Sequence, residues 1–231
     1  MKTLIKNGLV VDPANLVQTH LNLLLEDGKI VAVTEEEPEA DRVIDAAGKV
    51  VAPGFIDIHM HEDPVKDDKI QFCIFDAMLR MGVTTAVGGN CGINVYDPVK
   101  YLDLLERDGA PVNVMMFAGH QYYRETAGAL DKYSPVTEEQ RKTMKKGLEE
   151  ALEAGCVGIS YGLRYVPGTG REEFLDTASC CQKEHRLISA HVRDDEERVF
   201  GAVAEVAEAG KIFDIPVEIS HIGSMAGFGQ M

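Results

Sequence analysis

Six short apolar runs recur along this chain at steps of roughly 30 to 40 residues, and a residue with chemistry to offer stands at or just past the end of each. The runs are 54–60, 84–88, 112–118, 157–161, 186–192 and 217–222. The residues closing them are His59, Cys91, His120, Ser160, His191 and His221. A strand, a crossover helix and a parallel return take about 30 residues or more, so each step is the length of one βα unit. The stretches between the runs read as helices. Over 137–154, Thr137 and Gln140 form a capping-box pattern, and Met144, Leu148, Ala151 and Leu152 fall on one helical face. Gly155 then stands where a left-handed cap belongs. Ile70, Ile74, Ala77, Met78 and Met81 keep the same spacing before Gly82, while Gly109 and Gly210 precede the next runs. This pattern predicts an α/β chain. The simplest way to gather six consecutive parallel strand ends around one point is a TIM-type (β/α)8 barrel, here its first six units. A doubly wound open sheet fits less well, because no glycine-rich phosphate turn follows the first strand.

Residues 1–52 keep a different period. An apolar run from Leu4 to Val11 ends at Asp12-Pro13, and the runs Leu21 to Leu25 and Lys29 to Val33 flank Asp27-Gly28, a strong hairpin dipeptide. Arg42 to Asp45 and Val50-Val51 add short strands. This predicts a small antiparallel β module ending before Pro53-Gly54, with the barrel portion over 53–231. The four glutamates at 35, 36, 37 and 39 around Pro38 read as a solvated loop.

Charge narrows the choice of partners. The net charge of −15 repels phosphate backbones and anionic lipid, so neither nucleic acid nor a membrane is expected. No apolar stretch has the length of a membrane span, and the opening residues lack a signal-peptide core. Five cysteines, an odd number in a chain of this size, predict reduced thiols and a cytoplasmic setting. An assembly of several copies is compatible with the sequence.

The run ends carry the chemistry. In His59-Met60-His61 the two imidazoles are two residues apart, so on an extended segment both face one way. His191 and His221 each close an apolar run one unit apart, in phase with that pair. A single histidine there is as well read as a satisfied core residue; four in phase suit Zn²⁺ or a similar divalent ion. Cys91, in Gly88-Gly89-Asn90-Cys91-Gly92, is either a small buried hydrophobe or, beside a metal, a thiolate ligand able to bridge two ions. Cys73, Cys156, Cys180 and Cys181 read as packing residues.

The segment Val51-Ala52-Pro53-Gly54-Phe55-Ile56-Asp57-Ile58-His59-Met60-His61 resembles the first-strand signature of the metal-dependent amidohydrolase superfamily. Gly82-Val83-Thr84-Thr85 with Gly89-Asn90-Cys91-Gly92 is similar to its N-acyl-D-amino-acid deacylase (D-aminoacylase) branch, and Gly119-His120, 158–163, 189–193 and 219–221 resemble later blocks of that branch. The resemblance implies a metal-dependent hydrolase of a linear amide C–N bond, acting on a small substrate such as an N-acyl amino acid by metal-activated water. Cys91, His191 and His221 would hold the tighter of one or two divalent ions, zinc by expectation, with His59 and His61 at a weaker position. Tyr165 matches a substrate-contacting position. The branch usually carries a lysine two residues after the last histidine. Here that residue is Gly223, with Arg193 or a residue beyond Met231 as its expected replacement on the substrate. Residues 1–52 would be the N-terminal part of a small β-sandwich. No catalytic residue is expected within the chain. The proton-shuttling aspartate, the last two barrel strands and the rest of the sandwich would lie beyond Met231, so the missing C-terminal part of the barrel is an expected partner. Two other readings stay open. One is a cyclic-amide hydrolase (dihydroorotase or hydantoinase type) or deaminase, against whose first form stands the absence of lysine from 157–163. The other is an inactive metal-binding piece that lacks the aspartate.

Overall fold

The structure is a computed structural model and describes residues 1–227. The chain divides into two compact units, Met1–Gly54 and Phe55–Met231. In the first, strands β1 (Lys2–Asp12), β2 (Val17–Glu26) and β3 (Lys29–Thr34) pair antiparallel in sequence order. Asp27 (φ 49°) and Gly28 (φ 78°) make the tight link between β2 and β3, both left-handed as a two-residue hairpin requires. The other edge of β1 is different. There β4 (Arg42–Asp45) and β5 (Val50–Val51) pair with it in parallel. The expected antiparallel module is therefore a mixed sheet, because the chain after β3 returns to the far side of β1 before continuing.

The second unit alternates strands and helices. β6 (Phe55–Asp57) leads to a small hairpin, β7 (Val65–Lys66) and β8 (Lys69–Ile70), then helix α1 (Ile74–Arg80). Next come β9 (Val83–Gly88), α2 (Pro98–Asp108), β10 (Asn113–Met116), β11 (Ala118–Gly119), α3 (His120–Thr126), α4 (Glu138–Glu153) and β12 (Gly158–Gly162). Then α5 (Arg171–Ala178), β13 (Leu187–His191), α6 (Val199–Phe213), β14 (Val217–Ile219) and α7 (Ile222–Ala226) complete the series. Pairing is parallel throughout β6-β9-β10 and β11-β12-β13-β14. The two sets meet where Phe117 interrupts one run: its N–H donates to Gly88 O (2.9 Å), and Val157 N–H donates to Met116 O (2.9 Å). Six parallel strand positions thus lie side by side in chain order.

The helices obey their sequence signals with two exceptions. Thr137 Oγ1 accepts from Gln140 N (3.2 Å) and Gln140 Oε1 from Thr137 N (2.9 Å), the reciprocal cap of α4. Met144, Leu148 and Ala151 of that helix are fully buried. Ile70, however, belongs to the β7-β8 hairpin, so α1 is a short helix. Gly210 lies inside α6, which continues to Phe213 and ends at left-handed Asp214 (φ 52°). A Cβ at Gly210 would sit 2.6 Å from Val217 Cγ1, so close helix-to-strand packing accounts for that glycine. The shared core gathers Phe75, Met116, Leu148, Ile159, Ile188 and Val206, all fully buried. Among the described residues no helix is long and apolar enough to cross a membrane.

Candidate metal centre

The chemistry-bearing residues sit at or just past the ends of four strands. β6 stops at Asp57, whose Oδ1 accepts from His59 N (3.0 Å), a local turn that competes with continued pairing. His59 and His61 therefore lie in irregular chain beyond the strand, not on one strand face. Their rings are 5.9 Å apart and nearly perpendicular. Cys91 sits in a tight turn after β9, at φ 57° between Gly89 (φ 74°) and Gly92 (φ 77°). His191 ends β13 inside the strand, and His221 follows β14 in a left-handed conformation (φ 39°). Two non-glycine residues with positive φ meeting at one spot mark a place where the surrounding structure holds strain.

Four of these side chains converge. Cys91 Sγ lies 3.4 Å from His59 Nε2, 3.7 Å from His221 Nε2 and 4.0 Å from His191 Nδ1. Donor atoms of Cys91, His191 and His221 lie within 4.8 Å of one another, as do those of His59, His61 and Cys91, so the thiol belongs to both groups. Cys91 and His191 are buried, His59 is half-buried, and His61 and His221 are exposed, which leaves one side open to water.

The donor set suits a borderline-soft divalent ion. Burial pushes the Cys91 thiol up to about 11, with the Glu218 carboxylate adding to the effect. Burial, with neighbouring His221 and Arg164 reinforcing it, pulls His191 down to about 4, and burial likewise lowers His59. These two imidazoles are thus held in the neutral form a cation needs. The nitrogens that face the thiol are His59 Nε2 and His191 Nδ1; the opposite ring nitrogens, His59 Nδ1 and His191 Nε2, are buried and have no hydrogen-bond partner among the described residues.

A layer of buried polar side chains underlies the cluster, and sequence reading missed it. Asn90 Nδ2 donates to Val87 O (2.8 Å) and Ile58 O (3.2 Å), tying the cysteine turn to the residue before His59. Ser189 donates to Glu218 Oε2 (2.5 Å) and lies 3.1 Å from Ser220 Oγ, beside His221. Glu62 accepts from Gly89 N (2.8 Å) and Val95 N (3.0 Å). Asp63 caps α1 from a distance, accepting from Ile74 N (2.8 Å) and Phe75 N (3.1 Å). The serines preceding both histidines in Ile-Ser-Ala-His and Ile-Ser-His were the available hint.

The remaining candidates divide. The Tyr165 ring lies 4.4 Å from the His191 ring and is partly exposed, so it borders the cluster. Arg193 is committed elsewhere: Nε and Nη2 donate to the Glu205 carboxylate (3.0 and 2.8 Å) and Nη2 also to Thr169 O (2.8 Å). That pairing ties its guanidinium to α6. Arg164, beside Tyr165, makes one ion pair among the described residues, to Asp195 (2.7 Å), and is half-exposed. His120 and Ser160 do not join the cluster. His120 is buried against Glu173 (2.9 Å) with Arg124 on the same oxygen (3.0 Å). Of the other cysteines, Cys156, Cys180 and Cys181 are buried as packing predicts, whereas Cys73 is exposed and donates to Asp63 Oδ1 (2.9 Å). The aspartate expected beyond Met231 lies outside the described residues.

Comparison with known proteins places this geometry. A model of the amidohydrolase family matches residues 42–166. The D-aminoacylase of Alcaligenes xylosoxydans xylosoxydans is 30% identical, covering 94% of this chain and 50% of its own. A crystal structure of N-acyl-D-glutamate deacylase from Bordetella bronchiseptica, complexed with zinc and a phosphonate inhibitor, superposes with a TM-score of 0.82 at 30% identity, covering 93% of this chain and 50% of that one. A D-aminoacylase structure gives a TM-score of 0.85 at 28% identity over 95% of this chain and 51% of that one. The chain spans about half the length of the curated relatives it matches.

Proposed function

This chain belongs to the amidohydrolase family, and from that premise we propose that it carries the metal-holding part of a hydrolase acting on linear amide C–N bonds of small N-acyl amino acids. The observation that carries the reading is the convergence of Cys91 Sγ with His59, His191 and His221 at 3.4 to 4.0 Å. In this reading the six parallel strand positions are the first six units of a (β/α)8 barrel, and the N-terminal sheet is part of a small sandwich. Cys91, His191 and His221 hold the tighter ion, zinc by donor chemistry, and His59 with His61 and the shared thiol hold a second. When bound, such an ion supplies Lewis-acid polarisation of an amide carbonyl and activation of water.

The chain's own residues supply the rest of what it contributes. Burial of Cys91 and His191 fixes their positions, while exposed His61 and His221 leave a mouth for a small substrate. Tyr165 forms a wall beside His191. Arg164 replaces Arg193 as the cation offered to an anionic substrate group, since its single ion pair leaves donors free. A proton shuttle to the leaving amine has to come from residues outside those described. β12 (Gly158–Gly162) carries no lysine for a carboxylated metal bridge, which disfavours the dihydroorotase or hydantoinase chemistry. The free cysteines accord with a reducing, cytoplasmic setting.

The test is metal content together with turnover of N-acyl-D-amino acids and hydantoins by the whole protein. Zinc bound by the parent and lost from Cys91→Ala and His221→Ala, with turnover of the acyl amino acids, supports the reading. Unchanged zinc in both variants, or hydantoin turnover alone, contradicts it.

A further inference from the structure

Ser160 stands at the end of one of the six apolar runs, yet it faces no member of the metal cluster. It is fully buried on β12 and touches the turn that carries Cys91. Its Oγ accepts from Gly92 N (3.0 Å) and donates to Gly89 O. One hydroxyl thus closes both ends of the three-residue turn. That turn needs a closure. Cys91 holds φ 57°, a left-handed conformation that crowds its Cβ against the following carbonyl, and two further left-handed residues, Gly89 and Gly92, bracket it. The turn is also packed without slack: a Cβ on Gly89 would lie 2.5 Å from Phe117 O, and one on Gly92 would lie 2.8 Å from Gly162 N. Both glycines are hemmed in by the backbone on either side, while the hydroxyl fixes the turn's height against β12. Sγ can meet the three histidines only if the turn keeps this shape.

We propose that Ser160 is a positioning residue whose hydroxyl holds the Cys91 turn in its left-handed form and so aims the thiol at the cation site. This rests on the metal reading of the cluster. Without the hydroxyl, Gly89 O and Gly92 N lose their shared partner and the turn is free to relax. The imidazoles, carried on other strands, keep their places.

The experiment is cobalt(II) and zinc titration of the full protein, comparing the parent with Ser160→Ala, Cys91→Ala and Thr177→Val. Cobalt reports the sulfur bond directly through its near-ultraviolet thiolate-to-metal charge-transfer band, separately from the visible bands that report overall coordination. Thr177→Val removes another buried hydroxyl, one hydrogen-bonded to Tyr161 and away from the turn. Ser160→Ala is expected to lower zinc affinity about 10- to 100-fold, the usual effect of losing an outer-shell partner, and to weaken the thiolate band. Thr177→Val leaves both at the parent level even where it lowers thermal stability. If Ser160→Ala unfolds too readily to titrate, the comparison is made in sucrose, which favours the compact state. A full thiolate band with parent zinc affinity in folded Ser160→Ala overturns the proposal while leaving the metal site standing. No thiolate band in the parent overturns the metal reading, and this proposal with it.

Discussion

A thiol that must ionise to bind metal makes affinity depend on pH, and the environment of Cys91 fixes how steeply. Its thiol is held at about 11 against an ordinary value of 9.0, chiefly by burial. That difference is worth about 3 kcal/mol in favour of the protonated form. Throughout the range below 11, binding a cation through sulfur therefore expels one proton. Each pH unit should then raise the apparent zinc affinity about tenfold, or about 1.4 kcal/mol. His191, held at about 4, has no proton to lose above pH 6 and leaves the slope unchanged. Between pH 7.5 and 9 ordinary imidazoles are neutral too. Any proton given up by metal-bound water is common to both proteins, so the slope of log affinity against pH is steeper by 1 in the parent than in Cys91→Ala, measured by zinc titration against a chelator of known pH dependence. Calorimetry in buffers of differing ionisation enthalpy should independently count one more proton released per tightly bound zinc in the parent than in Cys91→Ala. A flat profile in the parent refutes thiolate ligation, whatever the metal content.

Other expected outcomes follow from the same structure. In the metal-free chain His191 has a folded value (about 4) below its unfolded one (6.5), so the unfolded state takes up the proton first as pH falls. Stability is thus intact above pH 6.5 and declines between 6.5 and 4, by on the order of 2 kcal/mol from pH 7 to 5; urea midpoints of the parent and His191→Gln should converge at low pH. Gly210→Ala drives a methyl against Val217 and should cost about 1 to 3 kcal/mol in chemical unfolding, without changing zinc affinity. Arg193→Ala breaks its bidentate pair with Glu205 and should cost about 1 to 2 kcal/mol, with metal content and substrate KM unchanged. Arg164→Gln should instead raise the KM of anionic substrates, by roughly tenfold for one lost charge-assisted contact.

What could be read from the sequence was what local chemistry decides. The capping box at Thr137 and Gln140, the buried face of α4 and the phase of the run ends all follow from spacing within a few turns or one βα unit. That phase is what brings Cys91, His59, His191 and His221 together. Misreadings arose where a tertiary partner or a local turn overrides periodicity. His59 leaves its strand early because Asp57 bonds its backbone, a competition visible only with the strand end in hand. Arg193 pairs with Glu205 across a helix packing that no spacing rule states. The parallel return of β4 and β5 beside β1 depends on the route of the connecting chain. Ser160 keeps the phase of the run ends without joining the cluster, because its hydroxyl bonds the neighbouring turn from within its strand.

Zinc K-edge absorption spectroscopy of the zinc-loaded protein tests the central claim most directly. The account predicts a mixed first shell with a sulfur scatterer at about 2.3 Å beside nitrogen at about 2.0 to 2.1 Å, the sulfur disappearing in Cys91→Ala. A shell of nitrogen and oxygen alone in the parent, or a sulfur contribution that survives Cys91→Ala, would contradict it.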